Sequence, residues 1–476
     1  MKIFNKYLLA GVMVMGLSSS AMSQDVDYKT MLAPITSALK ANPTGVDVAK
    51  DLVKNYTKVF KKNPEALVAL GNSYLSAKQF DKASECADLA LKKNPNYGNA
   101  YILKGDVEAL KDDGGAAANW YDRAIFADPQ NAEGYLRYAN VFRKVNPQES
   151  ERVLNELRKI MPNFPVEAEL GHSNYLTRNY DKALEFFQMA KKESIDEEKF
   201  VEYVFTANIL GNKKLSLDVA KQGVGIHPNS LALIRLAVIN AIDLGENADA
   251  LKYAMMVFND NGKKNATDYI NYGRALNGNG QYDEAIAQFE TALKEDEEKV
   301  EAYRYMSDSY KGKDEMDKSL ELMQKYLNLN DEAKPSDYKS LADIYMKNVE
   351  EGIDKENNFK KSLKVYDDVI KKYPQLSAWA YLRKANNSYN AEYDDLTIEF
   401  SNKVIEIIEN KSDRDDLELG YLKQAYRFAG YTYWNSKDDF NTAKVYLNKL
   451  YDLDPDDSIA KQAHEAQQEE TVQAED

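Results

Sequence analysis

At 476 residues, 44% of them hydrophobic, the chain is longer than one compact core usually organises, so it divides into domains or repeats. Only 22 glycines and 12 prolines punctuate it, too few for a strand-dense fold, and a helical chain is expected. The net charge of −15 argues against nucleic-acid partners, and a lone cysteine, Cys86, excludes an intramolecular disulfide and a multi-thiolate metal site.

Taken in chain order, residues 1–23 read as a signal peptide. Lys2 and Lys6 precede the apolar stretch Tyr7 to Leu17, and Ala21-Met22-Ser23 offers a small-x-small cleavage site. No cysteine follows for lipid attachment, and nothing later approaches the ~18 consecutive apolar residues of a membrane span. A periplasmic or secreted protein without direct membrane insertion is therefore expected. Residues 24–63 are expected to form an N-terminal helical cap. A repeat array follows in two halves, 64–263 and 264–456. Residues 457–476 are expected to be a capping helix and acidic tail, without order from Gln467 onward.

Inside the array, small residues recur with a period of about 34. Pro64 to Tyr97 carries Leu70-Gly71, Tyr74, Ala83, Ala90 and Pro95. Gly98 to Asn131 repeats this as Tyr101, Gly105, Ala117, Tyr121, Ala124 and Pro129, and Ala266 to Lys299 as Tyr269, Gly273, Ala285, Phe289 and Ala292. About eleven units start near 64, 98, 132, 164, 197, 230, 266, 300, 335, 376 and 423. Each predicts two amphipathic helices, A then B. Glycine inside a helix costs about 1 kcal/mol against alanine, which a close helix approach would explain at Gly71, Gly105, Gly171, Gly273 and Gly430. Ala83, Ala117, Ala183, Ala285 and Ala443 are the expected small partners on helix B. Pro95, Pro129, Pro228, Pro374 and Pro455 are expected to end B helices. Four departures stand out. The unit from 230 lacks a clear register, Asn259 to Gly262 reads as a loop or weak joint, Val349 to Asn358 reads as an insertion, and Arg383 occupies a small-residue position.

These residues resemble the tetratricopeptide-repeat motif over nearly all of the chain after the signal. Asp112-Asp113-Gly114-Gly115-Ala116-Ala117 with Trp120-Tyr121, Tyr381 to Asn386, and Ala425 to Tyr431 are similar to exported tetratricopeptide-repeat proteins of Bacteroidetes. The resemblance implies an all-α, right-handed superhelical solenoid of helix-turn-helix units. It implies a partner-binding groove lined by the A helices and carries no catalytic motif.

The residues themselves point away from an enzyme and away from cofactors. His172, His227 and His464 have no metal-ligand or catalytic spacing. Asp112-Asp113-Gly114-Gly115 reads as a turn, and Asp452, Asp454, Asp456 and Asp457 lack the glycine and glutamate of a calcium loop. Cys86 reads as a core residue. The expected partner is another protein or a peptide segment, with the oligomeric state left open. The rival is a glycan-binding protein of the starch-uptake (SusD-like) type, with Trp120, Trp379 and Trp434 as sugar platforms. A helical-repeat lytic enzyme would need a catalytic domain for which the repeats leave no room.

Positions 2, 5, 9 and 12 of helix A share one face and predict the groove. They nominate Asn72, Asp106, Asn140, Arg143, His172, Arg274, Arg304, Asp308 and Lys311, with Tyr431 and Trp434 as an exposed aromatic pair one helical turn apart. Read in sequence, the groove runs from acidic to basic. Glu65, Asp106, Glu133 and Glu198 face one base, Arg143, early on. Leu231, Ile234, Val238, Ile239 and Ile242 line the middle. Arg274, Arg304, Lys311, Lys339, Lys384 and Arg427 then outnumber Glu301, Asp308 and Asp343.

Overall fold

The computed structural model describes residues 27–41, 49–259 and 262–475, with side chains to 468. The expected signal peptide lies outside the described residues. Helix is the only regular structure among them, and two compact units divide the chain between Asn212 and Lys213. The first unit contains α1 (Tyr28–Ala41), α2 (Lys50–Phe60), α3 (Pro64–Ser76), α4 (Phe80–Lys93), α5 (Gly98–Leu110), α6 (Gly114–Ala127), α7 (Ala132–Phe142), α8 (Pro147–Ile160), α9 (Val166–Leu176), α10 (Tyr180–Met189) and α11 (Glu197–Ile209). The second contains α12 (Lys213–Ile226), α13 (Leu231–Leu244), α14 (Asn247–Asn259), α15 (Ala266–Gly278), α16 (Tyr282–Glu295), α17 (Glu301–Gly312), α18 (Met316–Leu329), α19 (Pro335–Glu350), α20 (Lys355–Lys372), α21 (Ser377–Asn390), α22 (Asp394–Glu409), α23 (Asp416–Tyr431), α24 (Phe440–Leu453) and α25 (Ser458–Glu475).

Odd-numbered helices from α3 onward are the A helices. Ten of the eleven expected units begin within two residues of one. The exception is α23, which starts at Asp416 because Asp415 caps it, its carboxylate accepting from the Glu418 backbone N–H at 2.8 Å. The cap region is itself a helix pair. Ile35 and Leu39 of α1 and Tyr56 and Phe60 of α2 are buried in one core with Leu67 and Leu70 of α3.

The small residues do what the period implied. A Cβ on Gly105 would lie 2.3 Å from the Tyr121 ring, on Gly171 2.6 Å from Phe187, and on Gly273 2.5 Å from Phe289. The helix A glycine thus receives an aromatic ring from its own helix B, which neither alanine nor a larger residue would admit. The paired alanines Ala83, Ala117, Ala183, Ala285 and Ala443 are fully buried. Pro95, Pro129, Pro228, Pro374 and Pro455 each stand two residues beyond the end of a B helix.

The A-to-B turns carry a feature with no strong sequence signal. Lys78, Asp112, Arg178, Gly211, Gly245, Gly280, Asp314, Glu392 and Asp438 all take positive φ, one per turn. The left-handed residue reverses the chain so that the next N–H reaches back to an orphan carbonyl. Gln79 N–H donates to Tyr74 O at 2.9 Å, Asp113 to Glu108 O at 3.0 Å and Asn179 to Asn174 O at 2.9 Å. Asp112-Asp113-Gly114-Gly115 is such a turn, and Asp113 caps α6 by accepting from Ala116 N–H at 2.8 Å. The α19–α20 turn carries two, Gly352 and Asp354, and the α7–α8 turn differs again. It follows a shortened helix A and has no left-handed residue among those described.

Each irregular unit has a local cause. The unit from 230 is a regular pair, α13 and α14, with Ala237 buried at the small position and Gly245 at the turn. The expected joint at Asn259 to Gly262 falls between α14 and α15, and 260 and 261 lie outside the described residues. The insertion at Val349 to Asn358 is not a loop. It lengthens α19 to 16 residues and α20 to 18. Arg383 does not hold the small position. A 3₁₀ turn at Pro374–Leu376 delays the register by two residues, and Ala385 fills that place with no exposed surface. The C-terminal stretch is helical to Glu475, past Gln467 where order was expected to end, because Ala, Gln and Glu are strong helix formers.

Candidate functional site

The A helices approach one another closely at α1 with α3, α3 with α5, α5 with α7, and α9 with α11. Between α7 and α9 that ladder opens. Both helices have 11 residues where α3, α5 and α11 have 13. The gap is a cleft of about 700 Å³. Leu136 and Ala139 of α7, Leu154 of α8 and Leu176 of α9 supply its apolar wall. Asn140, Arg143, His172 and Ser173 line it with Glu198 and Lys199 from the first turn of α11.

Its polar groups are arranged in pairs. His172 Nδ1 sits 2.8 and 2.9 Å from the two carboxylate oxygens of buried Glu202. Lys199 Nζ bonds Asp196 at 2.5 Å and Glu169 at 3.1 Å. Burial pushes the Lys199 ammonium down, and those two carboxylates outweigh it and hold the group above its ordinary value. Arg137 Nε lies 3.7 Å from Asp106 and 3.6 Å from Glu133. Asp106 also accepts a bond from Tyr121 OH at 2.8 Å. Arg143 differs. Burial pushes its guanidinium below the ordinary range, with Glu202 pulling the other way, and among the described residues its Nε has no hydrogen-bond partner.

The nominated residues thus fall into separate places. Asn140, Arg143 and His172 come together in the cleft, and Asp106 stands beside it through Arg137. Asn72 is exposed on α3. In the second unit, Arg274 and Arg304 both lie over the Tyr305 ring, at 5.2 and 4.3 Å from guanidinium carbon to ring centroid. Asp308 reaches solvent there, yet the protein around it raises its carboxyl, with Arg304 and Lys311 pulling it back down. Tyr431 and Trp434 do not form one exposed face. Thr432–Ser436 is a π-helical turn that adds a residue and rotates them apart. Tyr431 meets Tyr389 at 6.2 Å and Trp434 meets Phe440 at 5.0 Å. Trp120 lies between Lys104 and Arg123, each 4.6 Å from its centroid, and Trp379 meets Tyr366 at 5.8 Å.

Local ion pairs neutralise much of the acidic-to-basic gradient, with Arg304 and Lys311 outside them among the described residues. Arg137 and Lys199, outside the four sampled positions, balance the acids of the cleft. Of the later bases, Arg274 meets Asp243 at 3.4 Å, Lys339 meets Asp343 at 2.6 Å, Lys384 meets Asp367 at 2.7 Å and Arg427 meets Asp457. Ile234 and Val238 are core residues, not groove lining. Ser150, Glu169, Lys199 and Glu202 were missed because a fixed four-position template cannot register a gap between repeats. The shorter spacing from the unit at 132 to that at 164 was the one available signal.

Among the described residues, no three His, Cys, Asp or Glu side chains converge as a metal site requires, and no helix is long and apolar enough to cross a membrane. Cys86 is buried, which pushes its thiol up to about 12. A tetratricopeptide-repeat family model matches residues 68–132 and 273–338. Among solved structures, the chain is similar to the C-terminal part of a TPR repeat-containing protein from Cytophaga hutchinsonii, at 18% identity and a TM-score of 0.43, covering 55% of this chain and 98% of that one. MamA from Desulfovibrio magneticus RS-1 gives 19% identity and a TM-score of 0.31, covering 34% and 94%. Naa15/Naa10 bound to HypK-THB gives 14% and 0.29, covering 91% and 64%. No curated protein matches the chain.

Proposed function

We propose that the chain, which carries tetratricopeptide repeats over 68–132 and 273–338, is a non-enzymatic scaffold that holds a segment of another protein on its A-helix face. The observation that carries this reading is the cleft between α7 and α9. Three A helices of successive repeats line it, and it joins an apolar wall to hydrogen-bonding side chains. That mixture suits an extended or helical peptide, whose apolar side chains supply area and whose polar groups set register. The glycan alternative is weaker, because all three tryptophans already carry a side-chain neighbour against the ring. Lys2, Lys6 and the apolar run after them support export, so the partner is sought outside the cytoplasm.

The test is site-specific photocrosslinking in intact cells. A photoreactive residue at Asn140 or Ser173 should capture one discrete protein partner. The same residue at Asp181 on the exposed side of α10, or at Asp81 on α4, should capture far less. Equal capture from all four positions would remove the cleft as the docking place.

A further inference from the structure

Resting on the cleft as the docking place, the geometry points to a side-chain carboxylate of the partner, set beside an apolar side chain, as the group that Arg143 receives. The other bases of the cleft are occupied: Arg137 by Asp106 and Glu133, and Lys199 by Glu169 and Asp196. Arg143 is half-buried, and among the described residues its guanidinium has no carboxylate within 4.0 Å and no hydrogen-bond acceptor. A partly desolvated guanidinium left this way is costly, and an arriving acceptor recovers part of that cost.

A second orphan lines the same cleft. Ser150 is 1% exposed, and among the described residues its hydroxyl has no partner. It lies in the first turn of α8, a helix of 14 residues whose positive end adds to the field of Arg143. Arg143 follows the end of the shortened α7 and Ser150 lies in the first turn of α8, and both line the cleft. Leu136 and Leu154 beside them take an apolar neighbour.

The ligand's charge follows from the surroundings. A neutral amide would leave the guanidinium unneutralised. A phosphate dianion would meet Glu133, Glu169 and Glu198 around the same cleft. A single carboxylate neutralises the guanidinium by charge-assisted bonds.

The test uses the full chain and a displayed library of random internal peptides of about twelve residues, both ends blocked. Selection on the wild type should enrich Asp or Glu beside Leu, Ile or Val. Changing the selected Glu to Gln in such a peptide should weaken binding to the wild type by about tenfold to a hundredfold. The same change should matter little on Arg143→Gln, and Arg143→Lys should restore part of the discrimination. Circular dichroism confirms that each variant is folded. Selected peptides without an acid, undiminished discrimination by Arg143→Gln, or binding only of peptides with a free C-terminal carboxylate would overturn the inference. A wild type that selects no peptide at all would remove the docking reading beneath it, which is a different result.

Discussion

A glycine at the eighth position of a repeat and an alanine in its place differ by one methyl group, and the rings of Tyr121, Phe187 and Phe289 occupy the space that methyl would need. Gly105→Ala and Gly273→Ala should therefore destabilise by about 1–3 kcal/mol through overpacking, although alanine is the better helix former by about 1 kcal/mol. Gly225 and Gly420 are helical too, but nothing lies within 4 Å of a Cβ built on them. There the propensity term acts alone, and alanine should stabilise by about 0.5–1 kcal/mol. Urea midpoints of the four variants check the sign. A uniform effect at all four sites would mean that glycine is placed for propensity and not for space.

At the scale of the element, the turns decide the register. Lys78 and Arg178 adopt a left-handed backbone that costs a side-chain-bearing residue about 1–2 kcal/mol. Lys78→Gly and Arg178→Gly should each raise stability by roughly 0.5–1 kcal/mol, whereas Lys78→Val should lower it. Thermal unfolding of the three variants measures both directions. This feature was not legible beforehand, because lysine and arginine carry no turn signature. The helices themselves were legible, because Gly71, Ala83 and Pro95 each report a steric requirement that recurs every repeat. The cleft was legible only in part. Asn140, Arg143 and His172 sit on sampled A-helix positions, while Ser150 belongs to a B helix and Glu202 lies on the buried side of α11. Their meeting depends on how far α7 stands from α9, a distance that no single repeat encodes.

At the scale of the molecule, each unit is a chain of neighbours. In the second unit, α15 packs on α13, α14, α16 and α17, and α23 on α21, α22, α24 and α25. Stability in such an array is close to a sum of local terms. Gly273→Ala should therefore speed amide exchange across α15 to α18 and leave α23 and α24 at wild-type protection, as hydrogen-exchange mass spectrometry would read. Equal loss of protection across all these helices would show a single cooperative block.

The long α19–α20 pair shows what such a chain permits over evolutionary time. The small-to-small spacing is 12 residues from Gly71 to Ala83 and 20 from Ala342 to Ser362, yet Ala342 and Ser362 are both fully buried. Eight added residues amount to about one helical turn on each arm of the hairpin, which returns both faces to their original azimuth. Length changes in this architecture are thus quantised. A duplication worth whole turns is silent to the neighbouring repeats, while a single added residue must be absorbed by a wider coil, as at Thr432–Ser436. The tip of this hairpin, about 5 Å beyond its neighbours, is where the lineage could lengthen, graft or decorate the chain without renegotiating the stack.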